Sequence, residues 1–377
     1  MRIKTITCHD VYNFGASLQS YALMKYLEGL GHEVEIIDYK PDYLTFNLWA
    51  IGKRWNKNFI MRWLYFLYVV PMRLKNKGRR NKFDDFTKLY LKLTPSKYYT
   101  NKELCNNMPI ADVYFAGSDQ IWNSALPNGK DPSFYLNFIK KRAIIASYAA
   151  SFSISKVAME NAEFVKKSLQ KFDYISVREK TGLAILESFG IKGVHVLDPV
   201  FLLKRDFWLT LTNDRIQAKY IFVYDQENNP LIKSFAQKIS KQTGWKIVAI
   251  KNLYPLSYAD KKEINVGPQE FLSLINNSEV CLTNSFHCTA FSIIFGKEVY
   301  VFKRTHEKVN SRMIDLLNMV GLENRIIDDH SLPFDDKLID YSSVNKVLNS
   351  KLQYSKEFLQ QVLCAKKNEN PHSQYPF

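Results

Sequence analysis

The feature that most restricts how this chain can fold is a repeated alternation of short apolar strand-like runs with helical ones. Lys4 to Cys8 reads as a strand, Gly15 to Leu30 as a helix with Leu18, Ala22, Leu23, Tyr26, Leu27 and Leu30 on one face, and Glu33 to Asp38 as a second strand. Such a βαβ unit requires a parallel sheet with a right-handed crossover. Asp112 to Ala116, Ala143 to Tyr148, Tyr174 to Val177 and Val194 to Leu197 read as further strands, with helices near 157–170 and 179–189. A polar, irregular stretch from Lys204 to Asp214 marks a boundary. Beyond it strands Tyr220 to Tyr224, Lys246 to Ile250, Val280 to Thr283 and Glu298 to Phe302 alternate with helices Pro230 to Gln242, Pro268 to Asn276, His287 to Phe295 and Ser311 to Met319. The expectation is an α/β protein of two Rossmann-like domains, 1–205 and 206–340, with a cleft between them at the carboxyl ends of both sheets, where such folds bind ligands. A final helix, about Tyr341 to Ala365 within 341–377, is expected to pack back on the first domain, with a loose tail after it.

Composition narrows the class. A chain of 377 residues with 46% apolar and 14% aromatic side chains is globular and long enough for two cores. Cys8, Cys105, Cys281, Cys288 and Cys364 form an odd, scattered set without C-x-x-C spacing, which argues against a disulfide framework or a zinc knuckle. The apolar run Phe59 to Val70, broken by Arg62, falls short of the roughly 20 residues a bilayer span needs. Met1 leads straight into the first strand, so no secretory leader and a cytoplasmic location are expected.

The net charge of +15 is concentrated in one insertion, about 43–83. No acidic residue lies between Tyr43 and Phe83, whereas Lys53, Arg54, Lys57, Arg62, Arg73, Lys75, Lys77, Arg79, Arg80 and Lys82 all do. They interleave with Trp49, Trp55, Phe59, Trp63, Tyr65, Phe66 and Tyr68, the mixture that suits an interfacial helix on anionic lipid. A core helix with a solvated basic tail fits the same residues, as does a nucleic-acid groove. Pro71 and Gly78 suggest a helical insertion followed by a mobile basic stretch.

Three polar junctions stand at strand ends. After strand one, Asn13 and Gly15 precede a helix that carries Gln19; amides at a helix start attract anions, although Asn13 can equally serve as a plain cap. Gly117-Ser118-Asp119-Gln120-Ile121-Trp122-Asn123 is dense in hydrogen-bonding groups suited to a hydroxyl-rich ligand, with Asp119 as a proton acceptor and Trp122 either a platform for a sugar ring or a core residue. Thr283-Asn284-Ser285-Phe286-His287 ends a strand and opens a helix that Ser285 can cap, leaving amides for an anion and His287 to move a proton. Arg178, Arg304 and Arg312 fall near element ends, where they can clamp a carboxylate or phosphate or simply be solvated. No H-E-x-x-H, D-x-D pair or Cys/His cluster appears, and no G-x-G-x-x-G, so neither a metal nor a dinucleotide cofactor is expected.

Asn13-Phe14-Gly15-Ala16-Ser17-Leu18-Gln19, Gly117-Ser118-Asp119-Gln120-Ile121-Trp122-Asn123, Ser176-Val177-Arg178-Glu179, Leu197-Asp198-Pro199 and Thr283-Asn284-Ser285-Phe286-His287 together resemble the polysaccharide pyruvyltransferases, over about residues 5–320. The resemblance implies a GT-B-like pair of domains that uses phosphoenolpyruvate as co-substrate. It also implies that a pyruvate ketal is placed across two hydroxyls of a sugar, expected to be galactose-type, in a bacterial surface polysaccharide. His287 and Asp119 would be the catalytic pair; Arg178, Arg312, Arg304, Asn284 and Ser285 would hold the donor; Asn13, Gln19, Gln120, Trp122 and Asn123 would hold the acceptor. Many members carry an arginine where this chain has Ser285, so another arginine must supply that charge. A polyprenyl-diphosphate-linked acceptor would place the protein at the inner face of the cytoplasmic membrane, through the Trp49 to Lys82 segment. A nucleotide-sugar glycosyltransferase and a non-catalytic polyanion or membrane-binding protein are the competing readings.

Overall fold

The structure is a computed structural model that describes residues 1–44, 59–65, 67, 77–140, 143–213, 218–250, 256–305, 310–328 and 338–365. Its first sheet has the order β3-β2-β1-β4-β5, from β1 (Arg2–Ile6), β2 (Glu33–Tyr39), β3 (Leu93–Tyr98), β4 (Val113–Ala116) and β5 (Ile144–Ser147), all parallel. A two-stranded pair, β6 (Ser176–Val177) and β7 (Val194–His195), hangs beside β5 through bridges Ala146 to Tyr174 and Ala150 to Val177. The second sheet comprises β8 (Tyr220–Tyr224), β9 (Lys246–Ile250), β10 (Lys261–Glu263), β11 (Val280–Thr283), β12 (Glu298–Phe302) and β13 (Ile326–Ile327), again all parallel, in the order β10-β9-β8-β11-β12-β13. Strands β4, β8 and β11 are buried at every position, as a sheet covered on both faces demands.

Chain order reverses between β1 and β4 in one sheet and between β8 and β11 in the other. Consecutive crossovers leave such a point toward opposite faces, so the loops after its two strands splay apart and open a crevice. Both crevices contribute to one cavity.

One apolar core runs through both lobes. Phe14 lies flat on Phe271, with ring centroids 4.4 Å apart and planes 1° apart, and meets Tyr224 edge-on at 5.6 Å. The irregular polar stretch expected from Lys204 instead begins with a short helix, Arg205–Leu209, because its polar flanks surround Trp208. That indole is fully buried and donates to Val200 O at 3.0 Å. Helix Tyr341–Cys364 packs against the first lobe, burying Phe358, Leu359 and Val362, with Ser355 Oγ accepting from Leu197 N at 3.0 Å. Each such buried side chain contributes roughly 1.5–3 kcal/mol.

The mobile basic stretch expected after Gly78 is helix Lys77–Tyr90, a correction with a steric cause. A Cβ on Gly78 would come within 2.6 Å of Asn265, so this glycine permits close approach to the second lobe. Phe83 and Phe86 are buried, Lys82 pairs with Glu270, and the Arg79 guanidinium sits 5.0 Å from the centre of the Phe14 ring. Two of the cations assigned to a surface role are thus engaged within the fold. Phe59–Leu64 is also helical, with Phe59 and Trp63 exposed at 81% and 59%. Trp49, Trp55, Pro71 and most of the remaining Trp49 to Lys82 segment lie outside the described residues. No described helix is long and apolar enough to cross a membrane.

Candidate active site

The loop after β1 ends at Asn13, whose side chain caps helix Phe14–Gly29 by accepting from Ala16 N at 3.2 Å. Gly15 follows because there is no room for anything larger: its Cβ would fall 1.9 Å from His287 Nδ1. The first helix therefore begins against the imidazole of the second lobe. Gln19, expected at the acceptor, is fully buried instead. It donates to Thr7 Oγ1 at 2.9 Å and Ala16 O at 3.0 Å and accepts from Ser118 N at 3.1 Å, tying the loop after β1 to the loop after β4.

That second loop carries Asp119 with φ of 69°, a left-handed conformation in which aspartate is tolerated better than most residues. Asp119, Gln120 and Asn123 line the cavity, with Asn123 Nδ2 donating to Gln120 Oε1 at 3.1 Å. Trp122 does not. Its indole is fully buried, stacked on Tyr135 at 5.8 Å and crossed by Phe172, and its Nε1 donates to Phe134 O at 3.1 Å. The sugar platform expected there is a core residue, because an adjacent aromatic cluster offers more burial than the cavity rim does.

At the end of β6, Arg178 is sealed in, pairing with Asp198 through Nη1 and lying 3.5 Å from Asp119 Oδ1 through Nη2. Burial opposes its charge, but Asp198, Asp119 and Glu179 outweigh that and raise the guanidinium above its ordinary value. Burial likewise pushes the Asp198 carboxyl up, yet Arg178 and His287 prevail and hold it well below the usual carboxylate range.

In the second lobe, Asn284 bridges the crevice, donating to Asp225 at 2.8 Å and accepting from Gln226 N at 2.9 Å. Ser285 occupies the N-cap of helix Phe286–Phe295 but makes no side-chain cap, contrary to expectation; its N–H donates to Thr283 Oγ1 at 3.1 Å, and the residue stands at the cavity wall. The first amides of that helix are consequently left without a side-chain acceptor. His287 Nε2 stands 3.5 Å from Asp198 Oδ2. Arg178 and Arg312 both lie over the Phe286 ring, at 4.7 Å and 5.9 Å from its centroid. Arg312 is only 7% exposed, its Nε has no hydrogen-bond partner, and burial followed by repulsion from Arg178 pushes it down to about 10.

The result is a cavity of about 590 Å³ that brings together Asn13, Asp119, Gln120, Asn123, Asn284, Ser285, His287, Arg304 and Arg312. Arg178 stands behind Asp119 and Phe286. Residues not anticipated as site residues also contribute: Gln226, Ser153 and Met313 at the wall and Asp198 beneath it. Asp198 had a signal in the Leu197-Asp198-Pro199 motif; Gln226 had none beyond its place two residues past a strand. Among the described residues no group of three or more His, Cys, Asp or Glu is arranged to hold a metal.

Two parallel sheets meeting at their switch points, with a polar cavity between them, define a GT-B-like α/β enzyme. Solved structures agree at the level of fold. A UDP-N-acetylglucosamine 2-epimerase structure from Listeria monocytogenes shares 10% identity with a TM-score of 0.52, covering 99% of this chain and 92% of that one. Another UDP-N-acetylglucosamine 2-epimerase crystal structure shares 10% with a TM-score of 0.51, covering 96% and 95%. The UDP-GlcNAc 2-epimerase from Methanocaldococcus jannaschii shares 14% with a TM-score of 0.46, covering 99% and 96%. No curated protein matches the chain by sequence. The family model for polysaccharide pyruvyl transferase matches residues 13–306, so the chain belongs to that family and is a transferase.

Proposed function

We propose that this protein moves pyruvate from phosphoenolpyruvate onto two hydroxyls of a sugar, forming a cyclic ketal in a surface polysaccharide. The observation that carries this reading is a pair of buried arginines sharing the Phe286 ring, one of them with no ion pair among the described residues, at a cavity that also holds an imidazole and a carboxylate. A buried cation without a counter-charge is costly, and a doubly anionic small molecule offsets that cost. Arg312 is the candidate for the charge missing at Ser285.

In the proposed reaction His287 donates a proton to the terminal enol carbon, and Asp119 takes the proton of the first sugar hydroxyl as its oxygen bonds to the neighbouring carbon. The bond from that carbon to the phosphate oxygen then breaks. Orthophosphate leaves with its electron pair and takes the proton held by Asp119, and the second hydroxyl bonds to the same carbon, closes the ring and returns a proton to His287. Arg178, Arg312 and the open amides of helix Phe286–Phe295 hold the anionic groups throughout. Incubation with phosphoenolpyruvate and a panel of free and lipid-linked galactosides should release orthophosphate and add the mass of a ketal. Consumption of a UDP-sugar with no phosphoenolpyruvate effect would favour a glycosyltransferase, and no turnover of either a binding protein.

A lipid-linked acceptor at the inner membrane face belongs to the same proposal. Phe59, Trp63 and Leu67, one helical turn apart in sequence, are exposed at 81%, 59% and 47%, and no acidic residue lies between Tyr43 and Phe83. Rings at headgroup depth beside cations suit an anionic bilayer. Co-sedimentation with vesicles containing phosphatidylglycerol should fall with salt and in the Phe59→Glu/Trp63→Glu variant; no binding at low salt would remove this part.

A further inference from the structure

The side chain whose purpose the reaction leaves open is Asp198. It is fully buried, and its Oδ1 is fixed by accepting from Val200 N at 3.1 Å. Oδ2 has two suitors: Arg178 holds it through Nη1, and His287 Nε2 waits at 3.5 Å. Each of them keeps a nitrogen unsatisfied, since neither Arg178 Nε nor His287 Nε2 has a hydrogen-bond partner. Two buried donors converging on one carboxylate oxygen, with one of them served, is an arrangement with a second setting.

On its Nδ1 side the imidazole has no room to move away from Asp198. Behind it stands Gly15, where even a methyl group would overlap the ring. Among the described residues the groups with charge around it are Asp198 from the turn after β7, Arg178 and Glu179 after β6, Asp119 after β4, Arg304 after β12 and Arg312 in helix Ser311–Met319; the start of helix Phe14–Gly29 presents only uncharged Gly15 and its cap Asn13. Arg178 is drawn both ways, held by Asp198 beneath and 3.5 Å from Asp119 at the cavity.

We propose that Asp198 is a positioning residue shared between donor binding and proton supply: an anion in the cavity engages Arg178 and frees the Asp198 carboxylate to bond His287 Nε2, so that the imidazole is loaded with its proton only when the donor is present. The inference rests on the phosphoenolpyruvate reading for the identity of the anion, but not for the coupling itself. It explains why Arg178 and His287 both approach the same oxygen, Asp198 Oδ2. Without an anion Arg178 is the nearer partner of Asp198, and the imidazole stands at 3.5 Å with Nε2 short of a hydrogen bond. With an anion present Arg178 is satisfied elsewhere, and the buried negative charge falls to His287.

Sulfate is the probe, since its charge does not change across the range in which histidine titrates. The His287 signal in the imidazole NMR spectrum, assigned by its absence in His287→Gln, is followed against pH with and without saturating sulfate. In the unaltered protein sulfate should raise the midpoint by about one pH unit more than in Asp198→Asn. Equal shifts in both, with sulfate visibly bound, overturn the coupling while leaving the anion site intact. No binding at all overturns the coupling and the donor-site reading together. Because Asp198→Asn also removes the buried counter-charge of Arg178, a second measurement uses the unaltered chain. The limb of kcat against pH that reports the loaded acid should lie about one unit higher than the same limb of kcat/KM, and coincident limbs reject the proposal.

Discussion

The two rims of the cavity come from equivalent places in two similar sheets, yet they spend their polar groups differently. On the first-lobe rim Gln19 is consumed by Thr7, Ala16 and Ser118, and Trp122 is sunk among Tyr135, Phe152 and Phe172. On the second-lobe rim Ser285 leaves its helix without a side-chain cap, and Arg312 has no ion pair among the described residues and an unbonded Nε. The first rim ties up most of its polar groups, although Ser153 Oγ and Arg178 Nε find no hydrogen bond; the second carries Arg312, a buried cation with no ion pair among the described residues. Equivalent topology therefore does not mean equivalent duty. Under the proposed function, the lobe with unmet electrostatic demand is the one that would take the anion.

The contrast can be broken by substitutions on the two rims. The largest effect is expected from His287→Gln, which should lower the rate of orthophosphate release by about 10³-fold while thermal unfolding stays close to the parent's; near-parental turnover would remove His287 from the chemistry. Next, Arg312→Met should raise the KM for phosphoenolpyruvate by roughly 10–100-fold and leave Tm equal or higher, because the burial of its charge is uncompensated. A fall in Tm with unchanged KM would make Arg312 structural and erase the difference between the rims. On the scaffold side, Gln19→Ala should cost about 1–3 kcal/mol in denaturant unfolding, since Ser118 N–H and the Thr7 hydroxyl lose a buried partner. A specific loss of acceptor affinity at full stability would instead return Gln19 to the substrate.

The smallest effect concerns acid. The folded state holds Asp198 below its unfolded value, so the stability it contributes is complete above about pH 4 and is lost as the pH falls toward the folded value. From pH 5 to 8 this group should leave stability flat. A slope there in urea titrations would have to come from another residue.

The strands of the second lobe were legible because fully buried parallel strands are written as unbroken apolar runs, such as Tyr220 to Tyr224 and Val280 to Thr283. Edge strands were not: β10 reads Lys-Lys-Glu and carries no apolar signal. Helix Lys77–Tyr90 was obscured because its few apolar residues, Phe83 and Phe86 among them, find their partners on distant elements. At the site, residue types at strand ends gave the addresses but not the directions of the side chains. Nothing local tells Trp122 to turn inward toward Tyr135 and Phe172, or assigns Asp198 to a histidine that follows it only in another sheet.

Helix Lys77–Tyr90 has a consequence for traffic. It belongs to the first lobe, yet Lys82 grips Glu270 and Tyr90 accepts from Gln269 at 3.1 Å, both on the second, while Phe14 and Phe271 lie face to face beside it. A wide swing of one lobe away from the other would have to unstack those rings and pull this buckle open. Under the proposed function, reactants and product would instead thread a standing aperture whose lip includes half-exposed Leu126, and the width of that doorway, more than any yawning of the molecule, would set how bulky an acceptor can be served.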